Sequence, residues 1–340
     1  GPNKICVEHL LMFDKSGTKV LPNIAESWNV SRDARVYTFK IREGIKWSDG
    51  TPLTTDDVMF WYEDVILNKE LTPNVPLWLT SGGKTCEIEK VDTYTFRVKF
   101  AQPNPLFLIN ICKQGGNAFF LPKHYMKQFH PKYTSKEEIE KKAKEAGFQF
   151  WYQLFDARGM NSNAWLQNPQ LPVLYPWRAV SSPTATTMIL ERNPYYWKVD
   201  PAGNQLPYID KIAQALLENR EMIVMKAISG EIDMQMRHMS LSDYTLLMEN
   251  RAKGGYRVLQ WKQGVGADVM ICLNQNVKDP VLRKLFEDRR FRQALSIAIN
   301  REEINQLVYL GMGEPRQCSL ISGVAFYDPE WEKMWAEYDP

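Results

Sequence analysis

No apolar run in this chain approaches the roughly 18–20 residues that span a bilayer, so no segment reads as a membrane helix. The opening residues, Gly1-Pro2-Asn3-Lys4, are not a basic stretch followed by an apolar one, and no secretory leader is legible. An excess of one charge is lacking too: 42 basic and 40 acidic residues leave a formal +2. Proteins that track phosphates carry a clustered basic excess, so nucleic acid is not an expected partner. The five cysteines, Cys6, Cys86, Cys112, Cys272 and Cys318, are far apart with no Cys-x-x-Cys pair. That excludes the zinc, iron–sulfur and thioredoxin patterns. An odd number leaves at least one unpaired in a secreted chain, and most are expected to be buried free thiols acting as small hydrophobes.

Cofactor and catalytic signatures also fail. Ser81-Gly82-Gly83-Lys84-Thr85 ends like a phosphate-binding loop, but Trp78 stands where the motif requires glycine. Gly264-Val265-Gly266 and Gly311-Met312-Gly313 each begin a dinucleotide fingerprint, and Val269 and Arg316 occupy the third glycine position. Neither a Gly-x-Ser-x-Gly elbow nor a His-Glu-x-x-His helix occurs. The four histidines, His9, His124, His130 and His238, have no spacing that demands a metal. No cofactor, metal or enzymatic activity is expected. A hydrolase with dispersed carboxylates is the alternative from a different class.

What is present is an ordinary globular composition, 44% hydrophobic and 24% charged over 340 residues, enough for two or three domains. Aromatics are abundant, with 11 Trp, 15 Tyr and 15 Phe, which suits cores and ligand clefts alike. Tyr37, Phe39 and Ile41 alternate with Thr38, Lys40 and Arg42, and Tyr94, Phe96, Val98 and Phe100 alternate likewise, predicting two half-buried strands. Between them Asp49-Gly50-Thr51-Pro52 reads as a turn, and Thr54 with Asp57 as a capping box opening a helix. The charged run from Ser135 to Ala146, closed by Gly147, predicts a solvated helix. Residues 159–176, rich in Asn and Pro, read as a surface connection between domains. Beyond Pro176 short strands are expected at 188–190, 256–259 and 269–273. Helices are expected at 220–228 and 290–299, then one capped by Asn300 and Glu303 and closed by Gly311. Mixed strands and helices in this order argue for an α/β protein.

The block from Ala25-Glu26-Ser27-Trp28 through Tyr37-Thr38-Phe39-Lys40-Ile41-Arg42-Glu43-Gly44-Ile45-Lys46-Trp47-Ser48-Asp49-Gly50-Thr51-Pro52-Leu53-Thr54 resembles the signature of the family-5 extracellular solute-binding proteins. These are the oligopeptide, dipeptide and nickel receptors of ABC importers. Leu190-Glu191-Arg192-Asn193-Pro194-Tyr195-Tyr196-Trp197, Ser229-Gly230-Glu231-Ile232-Asp233 and Arg290-Phe291-Arg292-Gln293-Ala294-Leu295 through Asn300-Arg301-Glu302-Glu303-Ile304 resemble further blocks in the same order. By comparison with the family the chain is expected to lack the leader and most of the final domain.

The resemblance implies an α/β fold of the type II periplasmic-binding-protein kind, with two lobes of mixed sheets flanked by helices that close over a ligand. It implies one discontinuous lobe from residues 1–22 and 170–272, an inserted domain at 23–169, and the start of a second lobe at 273–340. Its expected role is capture of an extended ligand, an oligopeptide or alternatively an oligosaccharide, for the membrane permease subunits of an importer. It also implies a monomer in the periplasm or held at the cell surface as a lipoprotein. The passage Gly203-Asn204-Gln205-Leu206-Pro207-Tyr208 is similar to oligosaccharide receptors of the family. Chain order makes Lys4, Cys6, Val7, Trp177, Gln235, Arg237, His238 and Asn274 the candidate ligand contacts. The motif blocks themselves are expected to be mostly structural, with Trp28 and Trp47 in packing.

Overall fold

A computed structural model describes residues 8–113, 119–182, 184–261, 266–324 and 326–340. The chain divides into two compact units, Gly1–Leu216 and Leu217–Pro340. In the first unit the short strands β1 (Leu11–Phe13) and β2 (Val20–Pro22) pair antiparallel. Strands β3 (Ala25–Val30) and β4 (Val36–Ile41) follow. A small ladder joins β5 (Thr80–Ser81) and β6 (Lys84–Thr85), and β7 (Glu87–Lys90) and β8 (Thr95–Lys99) come next. The main sheet has the order β3-β4-β8-β7, all antiparallel.

The alternation expected in β4 and β8 is present. Tyr37, Phe39, Ile41, Phe96 and Val98 are buried, whereas Thr38, Lys40 and Arg97 face outward, as a period of two requires of a sheet with one packed face. Phe39 and Phe96 are register partners whose rings stack 5.3 Å apart. Phe107, at the start of the helix Phe107–Lys113, packs edge-on against Tyr37 at 4.9 Å and Phe100 at 4.8 Å. Such geometries favour the ring quadrupoles.

The capping box forms as expected. Thr54 caps the helix Thr55–Met59, with Asp57 reaching back to the Thr54 amide. The Asp57 carboxylate also accepts from the Lys123 amide at 2.9 Å and the Trp47 indole at 3.3 Å. Burial nevertheless holds the Asp57 carboxyl above its ordinary range. The helix runs on as a π-helical turn, Phe60–Ile66, which presents Asp64 to the interior. There the Asp64 carboxylate accepts from Lys132 Nζ at 2.7 Å and from the Tyr133 hydroxyl. Burial, reinforced by that carboxylate, pushes the Tyr133 phenol up to about 12.

Two expectations need correction. Residues 159–176 are not a surface connection: Ala164, Trp165, Leu171, Val173, Leu174 and Tyr175 are buried in the main core. The Asn and Pro residues of this passage supply turns, while the apolar residues between them carry it inward. Gly159 passes so close to Met126 that a Cβ would lie 2.4 Å from its sulfur. The passage leads into a second antiparallel sheet, β9 (Trp177–Ala179), β10 (Thr187–Arg192) and β11 (Lys211–Ala215), in the order β11-β10-β9. The expected strands at 256–259 and 269–273 do not form. Among the described residues no ladder partner lies beside them, and an apolar β-prone run without one does not make a strand.

The second unit is helical, with Arg220–Ile228, Tyr244–Gly254, Pro280–Glu287, Arg289–Ile297 and Arg301–Val308. Its caps are those the sequence announces: Asn300 Oδ1 accepts from the Glu303 amide at 3.0 Å, and Gly311 closes the turn at φ +71°. The thiol expectation holds in part, since Cys86 and Cys112 are buried but Cys272 and Cys318 are exposed. No helix among the described residues is long and apolar enough to cross a membrane.

Candidate functional site

The Asn193-Pro194-Tyr195-Tyr196-Trp197 run is held by short local bonds. Asn193 is buried, donates its side-chain amide to the Tyr175 carbonyl at 2.9 Å, and accepts from the Tyr195 amide at 2.9 Å. This fixes the exit of β10 and delivers Tyr196 and Lys198 to Glu8. The Glu8 carboxylate, only 3% exposed, accepts from Lys198 Nζ at 2.9 and 2.8 Å, from Asn23 Nδ2 at 2.9 Å, and from the Tyr196 hydroxyl. A buried carboxylate with this many donors keeps its charge compensated. Beside it the Trp197 indole has Arg42 at 5.5 Å and Lys198 at 5.1 Å from its ring, both within cation–π range.

In the same unit, residues 200–208 fold around Asp200. Its carboxylate accepts from the Asn204 amide at 2.8 Å, the Ala202 amide at 2.9 Å and the Tyr208 hydroxyl at 2.6 Å. The Tyr208 hydroxyl, followed by Asn204, lowers the Asp200 carboxyl to about 2. The Tyr208 ring stays exposed.

In the second unit, Arg220 organises the loop that follows Asp233. Its guanidinium donates to the His238 carbonyl at 3.2 Å, to Ser240 Oγ at 2.7 Å and to the Asp243 carboxylate. The loop turns at His238, whose φ of +62° is uncommon for a non-glycine residue. The same unit carries an open groove of about 1140 Å³. One wall is the unpaired segment 267–273, another the helices Arg289–Ile297 and Arg301–Val308, and a third residues 313–318. Its floor mixes apolar side chains, such as Leu295 and Ile299, with the guanidinium groups of Arg292 and Arg301. Arg301 is directed by Ser296, donating to its carbonyl at 2.7 Å and its hydroxyl at 2.8 Å.

The residues proposed from chain order are dispersed. Trp177 opens β9 half-buried and donates its indole N–H to the Ile209 carbonyl at 2.9 Å. Gln235, Arg237 and His238 lie together, exposed, on the loop held by Arg220. Asn274 is exposed and its side chain closes a turn onto the Asn276 amide at 3.0 Å. Its neighbours Leu273 and Gln275 line the groove, and it does not. Lys4, Cys6 and Val7 lie outside the described residues. Glu8, Tyr196 and Lys198 form a centre that sequence reasoning passed over, because a lone acidic residue and a motif read as structural gave no sign of meeting.

Among the described residues the α/β architecture offers an open groove, and no group of three or more His, Cys, Asp or Glu side chains is placed to hold a metal. The sequence model described as bacterial extracellular solute-binding proteins, family 5 Middle, matches residues 19–340, and the chain belongs to that family. The periplasmic alpha-galactoside-binding protein of Rhizobium meliloti is 30% identical over 94% of this chain and 44% of its own length. A solved structure of an oligopeptide-binding protein OppA shares 48% identity, with a TM-score of 0.81 over 100% of this chain and 53% of that one. The binding protein MelB of Agrobacterium fabrum, in complex with stachyose, shares 26% identity with a TM-score of 0.68 over 96% of this chain and 48% of that one. The chain thus spans about half the length of the relatives it matches.

Proposed function

We propose that this chain is the ligand-capturing part of an extracytoplasmic receptor that delivers oligopeptides to an ABC importer, with no enzymatic step of its own. The observation that carries the reading is 48% identity along the whole chain to an oligopeptide-binding protein. Hinge closure is the physical device: a ligand touching both lobes binds only the closed form and shifts that population. Extended peptides are held through their backbone, which leaves side chains free to vary. Residues 1–22 and 170–272 would form one lobe, 23–169 an inserted domain and 273–340 the start of the other. The four-stranded antiparallel sheet of β3, β4, β8 and β7, whose strands all fall within 23–169, supports that insertion. Trp177, Gln235, Arg237, His238 and Asn274 are the proposed contacts. The permease subunits are the proposed partners, and the periplasm or outer cell surface the proposed location.

A second reading, an oligosaccharide receptor, rests on the alpha-galactoside-binding relative and the stachyose-bound neighbour. Thermal unfolding of the full chain with a panel of short peptides and with raffinose-series sugars separates the two. A true ligand at a hundredfold excess over its Kd stabilises by about 2.7 kcal/mol. A shift with peptides alone supports the first reading, a shift with sugars alone replaces it by the second, and no shift with either removes both.

A further inference from the structure

We propose that the groove of the second unit, which Cys272 also lines, holds a binding site for a soft d¹⁰ metal ion, Cu(I), built on the sulfurs of Cys318 and Met270. The Cys318 Sγ lies 3.5 Å from the Met270 Sδ. Two sulfurs each about 2.3 Å from one ion and 3.5 Å apart subtend an angle of about 100° at it. The pair is therefore spaced as two ligands of a single trigonal or tetrahedral centre. All three sulfur residues line the one groove and are exposed, so an ion reaches them without opening the fold.

The donor set selects the ion. Thiolate and thioether are soft ligands that favour Cu(I) over hard divalent cations. Among the described residues no group of three or more His, Cys, Asp or Glu side chains assembles anywhere, so a hard or borderline ion finds no comparable set. The cationic neighbourhood does not forbid a monovalent cation. Arg316 is neutralised by Glu332 at 2.9 Å, and Arg301 is turned toward Ser296. Binding exchanges the Cys318 S–H for an S–Cu bond and releases one proton to solvent, with no electron transferred. Buried Cys86 and Cys112, whose thiols burial pushes up to about 12 and about 11, are poor competitors for the ion.

The test is anaerobic competition for Cu(I) between the reduced full chain and the coloured bicinchoninate complex. The wild-type chain should bleach the chelator with a one-to-one endpoint. Met270→Leu, nearly volume-conserving, and Cys318→Ala should each weaken the competition about tenfold or more, whereas Cys112→Ala should leave it unchanged. Far-UV circular dichroism confirms that each variant is folded. Failure of the wild-type chain to withdraw copper, or equal withdrawal by folded Met270→Leu and Cys318→Ala variants, overturns the proposal.

Discussion

Gly50 lies against the ring of Tyr195: a Cβ on Gly50 would stand 3.0 Å from Tyr195 Cζ and 3.1 Å from its hydroxyl oxygen. The turn after β4 and the turn after β10, remote in sequence, are thereby packed backbone to ring. Lys46 adds a cation 5.6 Å from the centre of the same ring.

Gly50 also holds φ at +90°, a region that side chains avoid. Gly50→Ala should destabilise by about 1–3 kcal/mol, seen as a lower urea midpoint at constant m-value. Tyr195→Ala in that background should recover only part of the loss, since the dihedral strain remains. A Gly50→Ala chain as stable as wild type contradicts the packing described.

The Glu8 centre should behave as a coupled unit. Glu8→Gln keeps the shape but removes the charge that faces Lys198, at an expected cost of about 1.5–3 kcal/mol. Glu8→Gln and Lys198→Met, measured singly and together by chemical unfolding, should show a coupling above about 0.5 kcal/mol. Strict additivity would mean that the pair is not energetically linked.

His130 gives the first unit a pH dependence. The ring is buried, its Nε2–H donates to the Asp64 carbonyl at 3.0 Å, and Nδ1 accepts from the Lys132 amide at 3.2 Å. Burial lowers its pKa below 6.5, with the Asp64 and Glu70 carboxylates opposing and Lys132 assisting. The unfolded chain therefore takes up the proton first. The stabilisation is whole above about pH 6.5 and is lost as pH falls toward the folded value. The urea midpoint should drop on acidification from pH 7 through this window, and His130→Phe should flatten that part of the profile. Ring resonances of His130 that titrate above 6.5 in the folded chain would refute the assignment.

Arg220→Met should release the loop that carries Gln235, Arg237 and His238. Amide exchange over residues 238–243 should accelerate about tenfold, the loss expected for charged hydrogen bonds, while β4 and β8 keep their protection. Equal acceleration across both units would indicate global destabilisation instead.

The first unit was legible because its signals are local and mutually consistent. Alternation in β4 and β8 and the Thr54–Asp57 box each lie within a few residues and need no distant partner, and the same is true of the Asn300–Glu303 cap in the second unit. The passage from 159 to 176 misled because Asn and Pro mark turns but do not say which side of the chain faces the core. The run Val269-Met270-Ile271-Cys272-Leu273 has strand composition, yet a strand exists only beside another, and pairing is not written in one segment. The Glu8 centre was invisible for the same reason: Glu8, Asn23, Tyr196 and Lys198 are brought together only by the completed fold. Family likeness located the binding protein, whereas the ligand contacts taken from chain order scattered over two units.

The aromatic side chains are unevenly shared, and this decides what light can report. Of the 11 tryptophans only Trp261, Trp331 and Trp335 belong to the second unit, and Trp261 is 71% exposed. Emission from buried indoles such as Trp47, Trp61 and Trp165 therefore follows events in the first unit. Of the second unit's indoles only Trp335 lines the groove beside Leu295, so its signal is a small share of the emission, and the exposed thiols of Cys272 and Cys318 are where an environment-sensitive dye would be attached to isolate events there.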